Sequence, residues 1–172
     1  MDNDNTHDAG AKLGAFKALL VLLFVIVAIV IYGGLGMAIG LTSLYGGFLF
    51  SLYWAGIKGG STKEYWPAVI GASGGLVLAW LVYALPIQYG HAGLGIALVL
   101  VSLAVYAMIM GWVPILINFS FMLYLSVGTI PPLQTEAEIK GMALSMLFGA
   151  ALLGAGVLLF TRIGKSRTAA TA

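Results

Sequence analysis

The chain alternates between long apolar runs and short polar breaks, and the breaks and the two ends hold all of its charge. Asp2, Asp4 and Asp8 stand near the N terminus, and Lys12 and Lys17 come just before the first apolar run. Lys58, Lys63 and Glu64 share one break, Glu136, Glu138 and Lys140 another, and Arg162, Lys165 and Arg167 lie near the C terminus. A bilayer core of about 30 Å is crossed by about 20 helical residues. On that scale the runs divide at 16–41, with a soft point at Gly33–Gly34, then 43–57, 66–85 ending at Pro86, 93–111, 114–129 closed by Pro131–Pro132, and 139–161. Pro114 suits a first helical turn, where its missing N–H costs nothing. The pattern predicts an all-α polytopic membrane protein of about six transmembrane helices. Residues 1–15 form an N-terminal polar tail, 16–162 a single transmembrane domain and 163–172 a C-terminal tail. Segments 43–57 and 114–129 are short.

Basic residues orient the spans, because Lys and Arg accumulate on the cytoplasmic side. Six spans put both termini on one side, together with Lys12, Lys17, Lys58, Lys63, Arg162, Lys165 and Arg167, leaving Lys140 alone opposite. Four merged spans would move Lys58 and Lys63 across and weaken the bias. The expectation is a multi-pass protein of a bacterial inner membrane with both termini cytoplasmic. The first run, 18–41, is too long for the apolar core of a signal peptide and lacks a convincing cleavage site, so it reads as a retained span.

Sliding the chain along itself by 71 residues lays Met37 on Met108, Gly40 on Gly111, Phe48 on Phe119, Phe50 on Phe121, Leu52 on Leu123 and Tyr53 on Tyr124. In each copy a short segment leads through a polar break to a run rich in small residues, Gly71-Ala-Ser-Gly-Gly75 and Phe148-Gly-Ala-Ala-Leu-Leu-Gly154. Three spans per copy is an odd number, so the second copy lies upside down. The expected architecture is a 3+3 inverted repeat, repeat 1 about 16–86 and repeat 2 about 93–161, with one short helix in each half. Inverted repeats recur in transporters, with the solute path at the repeat interface.

The arrangement also resembles the YcdZ-like family of small bacterial inner-membrane proteins of unknown function. The likeness lies in Gly47-Phe48-Leu49, Tyr53-Trp54-Ala55, Gly59-Gly60, Ser73-Gly74 and Ala79-Trp80. It extends over most of the chain, but the motifs are soft, and Thr129-Ile-Pro-Pro132 departs from the Gly-rich turn of the pattern. The resemblance implies a fold and no substrate.

Composition narrows the function. Of 172 residues 61% are hydrophobic and 8% charged, against about 25% charged in soluble domains. The absence of cysteine excludes disulfides and thiolate chemistry. His7 and His91, the two histidines, cannot form an in-membrane haem pair. No base, nucleophile or metal cluster can be named, so neither an enzyme nor a cofactor is expected. The formal charge of +2 is too small to indicate nucleic acid. Apart from Lys17 and Lys140 in the second position of their runs, no Asp, Glu, Lys, Arg or His falls within a span, which disfavours proton-coupled transport.

A passive channel or facilitator for a small polar solute therefore leads. The alternative is an accessory or structural subunit of a larger membrane complex. The candidate path residues are Asn118, Ser120, Ser51, Thr42, Ser43, Tyr53 and Tyr124. Each has a plainer role beside it: Asn118 as interhelical glue, Ser51 bonded to its own helix, the tyrosines in the interfacial belt. Gly33, Gly34, Gly71, Gly74, Gly75, Gly149 and Gly154 are read as helix-packing sites. His91 reads as an ordinary loop residue before a pH sensor, and Glu64 and Glu138 as solvated loop charges. Short spans in a small chain suggest a symmetric homo-oligomer in the lipid bilayer.

Overall fold

The structure, a computed structural model, describes residues 15–169. The described residues are helical without any strand: α1 (Ala15–Ala38), α2 (Tyr45–Ser51) continued by a π-helical turn (Leu52–Ile57), α3 (Thr62–Ile109), α4 (Phe119–Gly128), a 3-10 turn (Pro131–Leu133) and α5 (Glu136–Ala169). The expected N-terminal tail falls almost wholly outside the described residues, whereas the expected C-terminal tail is largely a continuation of α5. The chain through Leu35 is one unit and the chain from Gly36 another. In the first, α1 continues through Gly33 and Gly34 without a break, and open space surrounds both Cβ positions.

Six full-length spans are not supported. Among the described residues two helices are long and apolar enough to cross a membrane, Thr62–Ile109 and Glu136–Val157. Helix α4 has 10 residues and rises only about 15 Å, half a bilayer core. Helix α2 and its π turn have 7 and 6 residues. Hydropathy counts apolar residues but does not register where a helix stops, so segments 43–57 and 114–129 looked longer than the helices they contain.

Helix α3 is not one straight rod. Gly90 sits at φ 57° and ψ −133°, a conformation open to glycine alone, and the chain folds back there. A straight helix would hold Leu78 and Ala104 about 39 Å apart, yet they share one core cluster, and Gly93 lies against the Leu85 carbonyl. The arms 62–89 and 91–109 thus form a helical hairpin. The helix passes through Pro86 rather than stopping there. Proline removes one hydrogen bond and bends a helix, but the left-handed glycine four residues on turns the chain.

Two helix ends carry the same cap. After α1, Leu41 N–H bonds to Gly36 O and Gly40 N–H to Met37 O; after α3, Trp112 N–H bonds to Ala107 O and Gly111 N–H to Met108 O. Each is a Schellman motif around a left-handed glycine, Gly40 at φ 80° and Gly111 at φ 67°. Residues 110–118 are irregular, with Val113 at φ 46°, costly for a β-branched residue. Pro114 therefore does not open a helix. Helix α4 starts at Phe119 because Asn118 caps it.

Contacts within the second unit fix the helix directions. Ser120 Oγ donates to Ala68 O, Gly75 meets Phe121, and Gly128 meets Ala79, so α4 runs parallel to the first arm of α3. Gly141 meets Ser43, Gly46 meets Met142, and Gly149 meets Gly47, so α2 runs parallel to α5. Tyr65 OH donates to Ala150 O, and Trp80 lines one groove with Ile139 and Lys140, so α5 runs antiparallel to the first arm of α3. The core between them holds Phe50, Tyr53, Trp54, Tyr124, Met142 and Met146, all buried. Phe48 and Phe119 face outward while Phe50 and Phe121 face inward, the split that i, i+2 spacing on a helix imposes.

Candidate functional site

Four of the seven candidate path residues, Asn118, Ser120, Ser51 and Tyr124, donate to backbone carbonyls. Asn118 is the N-cap of α4, and its Oδ1 accepts from Phe121 N–H at 3.2 Å. Its Nδ2 donates to Pro67 O at 2.8 Å and to Pro114 O and Ile115 O at 3.2 Å each. Both ends of the amide are engaged, and the side chain rests where a Cβ on Gly71 would stand. Ser120, fully buried, donates to Ala68 O at 2.9 Å. Ser51 donates back to Gly47 O, one turn earlier in its own helix. Thr42 is exposed near Gly141.

Tyr53 and Tyr124 stand where α2 and α4 cross. The Tyr53 ring stacks on Phe119 with centroids 6.0 Å apart, and Tyr124 OH donates to Gly46 O. Tyr124 is 0% exposed and Tyr53 2%. The place where a path between two halves would run is thus filled by aromatic rings.

Of the seven glycines read as packing sites, Gly33 and Gly34 meet nothing within 4 Å, and the other five lie at close approaches. Gly71, Gly74 and Gly75 receive Asn118, Leu116 and Phe121 from the α4 side, Gly149 receives the Gly47 backbone, and Gly154 receives Tyr65 OH. Gly46, Gly128 and Gly141 also lie at close approaches, and the sequence pattern alone does not mark them as packing sites.

A second feature missed from sequence is a polar clasp at the start of α5. The Glu138 carboxylate, half-buried, accepts from Ser43 Oγ at 2.7 Å and from Tyr45 OH at 3.1 Å. Ser43 is 3% exposed. Thr135 Oγ1 accepts from Glu138 N–H, half of a capping box; the glutamate that would complete the box reaches across to α2 instead. Thr135-x-x-Glu138 is the signal that could have marked this residue.

Exposed charges pair locally. Lys58 Nζ lies 3.2 Å from Glu64, and that carboxylate, as hydrogen-bond partner, raises the Lys58 pKa. Lys140 bonds to Glu136 one turn before it, which lowers the Glu136 pKa. Among the described residues no group of three His, Asp or Glu is placed to hold a metal ion.

Comparison of the chain with protein-family models, with curated proteins and with solved structures finds no match.

Asn118 can be divided by substitution. Asn118→Asp keeps the Oδ1 acceptor that caps α4 but loses the donor to Pro67 O, while Asn118→Leu loses both. Thermal unfolding in detergent is expected to show Asn118→Asp less impaired than Asn118→Leu, the cap itself being worth about 1 kcal/mol. Equal stability of the two variants would show that the cap contributes nothing.

Proposed function

We propose that this chain is an integral membrane subunit that acts through lateral contacts with other membrane components and has no solute path of its own. The observation that carries membrane residence is exposure. Only 17% of the most apolar 18-residue stretch of α3 is buried, and Val77, Leu98, Leu103 and Ile109 are each more than half exposed. The core helix of a soluble protein would be mostly covered, whereas apolar surface this extensive needs lipid or protein around it. The chain is assigned no catalytic step.

The hairpin at Gly90 supports a richer path than two crossings, because α3 supplies two antiparallel arms. With α1, 24 residues long, and α5, that gives four long segments, plus two half-length helices that enter the layer without crossing it. This is the form in which we retain the inverted repeat. Its support is internal equivalence. The Schellman caps at Gly40 and Gly111 are 71 residues apart. In this arrangement breaks 58–61 and 110–118 share one side, the cytoplasmic one by the positive-inside rule, and Gly90 faces the other with 129–135.

A subunit reading is favoured over a channel because the crossing is closed by Phe50, Tyr53 and Tyr124, and the polar side chains there are bonded to backbone. Purified protein in liposomes is expected to pass small neutral and anionic solutes no faster than empty vesicles do. Rapid, solute-selective flux would overturn the subunit reading and restore the channel.

A further inference from the structure

The irregular stretch 110–118, between the second arm of α3 and α4, makes two opposite demands on its surroundings. Ile109, Met110, Trp112, Val113, Ile115 and Phe119, in and beside it, are each between 48% and 78% exposed. No Asp, Glu, Lys or Arg occurs anywhere from Tyr65 to Thr135 to favour water around them. A contiguous apolar surface of this kind needs lipid or protein against it. The backbone asks for the reverse. Leu116 N–H and Ile117 N–H both bond to Val113 O, but the N–H groups of Val113 and Ile115 meet no acceptor among the described residues. Irregular backbone with free donors is not found facing lipid inside the hydrocarbon of a bilayer. Both demands are met at the headgroup boundary, where acyl chains begin and water and lipid oxygens are within reach.

The level of the stretch on the molecule agrees with that boundary. Asn118 donates to Pro67 O at 2.8 Å and Leu116 lies against Gly74, so residues 110–118 stand near Trp66. Trp66 is 65% exposed, and Tyr89, 60% exposed, closes the same arm of α3. The two are about 34 Å apart along a helix, close to the bilayer core of about 30 Å. Exposed Trp and Tyr at such a separation are what the two faces of a membrane favour. Trp112, whose ring meets Tyr106 edge-on at 5.5 Å, shares the level of Trp66, and Trp80 lies between the two levels.

On the reading of membrane residence above, we propose that residues 110–118 lie within the lipid surface itself. Trp112, Val113 and Ile115 insert just below the headgroups of one leaflet, and the free N–H groups bond to water and lipid oxygens there. The stretch thereby anchors the start of half-length α4, whose cap Asn118 ends it. The test uses full-length protein in phosphatidylcholine vesicles brominated either high on the acyl chain or near its methyl end. Each variant keeps Trp54, which is 2% exposed and so shielded. It keeps one of Trp66, Trp80 and Trp112 as well, the other two being replaced by Phe, and a form with Trp54 alone gives the background. Trp112 and Trp66 are expected to be quenched about twofold more by the high bromines than by the deep ones, as rings at the headgroup boundary are. Trp80 is expected to show the reverse, since about 21 Å of helix beyond Trp66 reaches past the middle of a bilayer core.

Trp112 quenched by aqueous acrylamide and by neither lipid would mean a loop in water and overturn the proposal. Stronger quenching of Trp112 by the deep bromines would overturn it too. Trp112 shielded from acrylamide and from both lipids, with Trp80 quenched by lipid, would mean that protein covers the stretch, and the proposal would fall. Absence of lipid quenching from Trp66, Trp80 and Trp112 alike would instead refute membrane residence, and the proposal with it.

Discussion

Gly75→Val is expected to destabilise the folded protein by about 3 kcal/mol, at the upper end of the cost of overpacking a close contact. A Cβ at Gly75 would strike Phe121 O and come close to Leu125 N, the two ends of one hydrogen-bonded turn of α4. Backbone atoms in a helix cannot rotate away as a side chain can, so α4 would have to separate from α3. Gly46→Val is expected to cost as much, because its Cβ would meet Met142 O, and the same residue accepts from Tyr124 OH. Gly95→Ala is the control. Nothing lies within 4 Å of its Cβ position, and replacing a helical glycine there is expected to gain about 0.5–1 kcal/mol. Unfolding followed by circular dichroism in mixed detergent would rank the three. Similar midpoints for all of them would contradict the close approach of α2 and α4 to the long helices.

Glu138→Leu is expected to destabilise by about 1–3 kcal/mol, the cost of leaving a buried donor unsatisfied. The donor is the Ser43 hydroxyl, 3% exposed and bonded to the Glu138 carboxylate at 2.7 Å. Glu138→Gln keeps an acceptor oxygen and is expected to lose less. The double variant Glu138→Leu with Ser43→Ala removes donor and acceptor together and should recover part of the loss. Glu138→Leu, Ser43→Ala alone and the double variant, measured against the parent, form a cycle. Losses that simply add would show that Ser43 and Glu138 are not coupled.

Much of the architecture was legible because apolar runs, charged breaks and glycine positions report directly on helices and turns. What hydropathy could not show is where a helix stops. Residues 114–118 are as apolar as those after them, yet Gly111, Val113 and Pro114 keep the chain irregular until Asn118 caps α4. Asn118 at the start of an apolar run is the residue type of an N-cap, and that signal marks the helix start. Pro86 misled in the opposite sense. A proline in an apolar run suggests a stop, but the turn needs the left-handed φ of Gly90.

The candidate path was harder, since a hydroxyl or amide in an apolar segment has the same letter whether it faces water or a backbone carbonyl. Ser120 and Asn118 face carbonyls on α3, residues about 50 positions away in the chain. Glu138 was missed because a charge beside a turn is usually solvated. Only the fold brings Ser43 and Tyr45 to it.

The cross-pairing of α2 with α5 and of α4 with the first arm of α3 has a consequence for how the chain can be divided. Each half holds the short helix that the other half's long helix needs. If the chain is cut at Gly90, the N-terminal fragment retains α2 without α5, and the C-terminal fragment retains α4 without its groove of glycines at 71, 74 and 75. Neither fragment has a complete core, so each should be degraded or remain loosely folded when made alone. Made together, they should find one another and restore a single assembly. During synthesis, likewise, α2 has no lasting partner until the last helix has left the ribosome, and the first half of the chain must wait for the second.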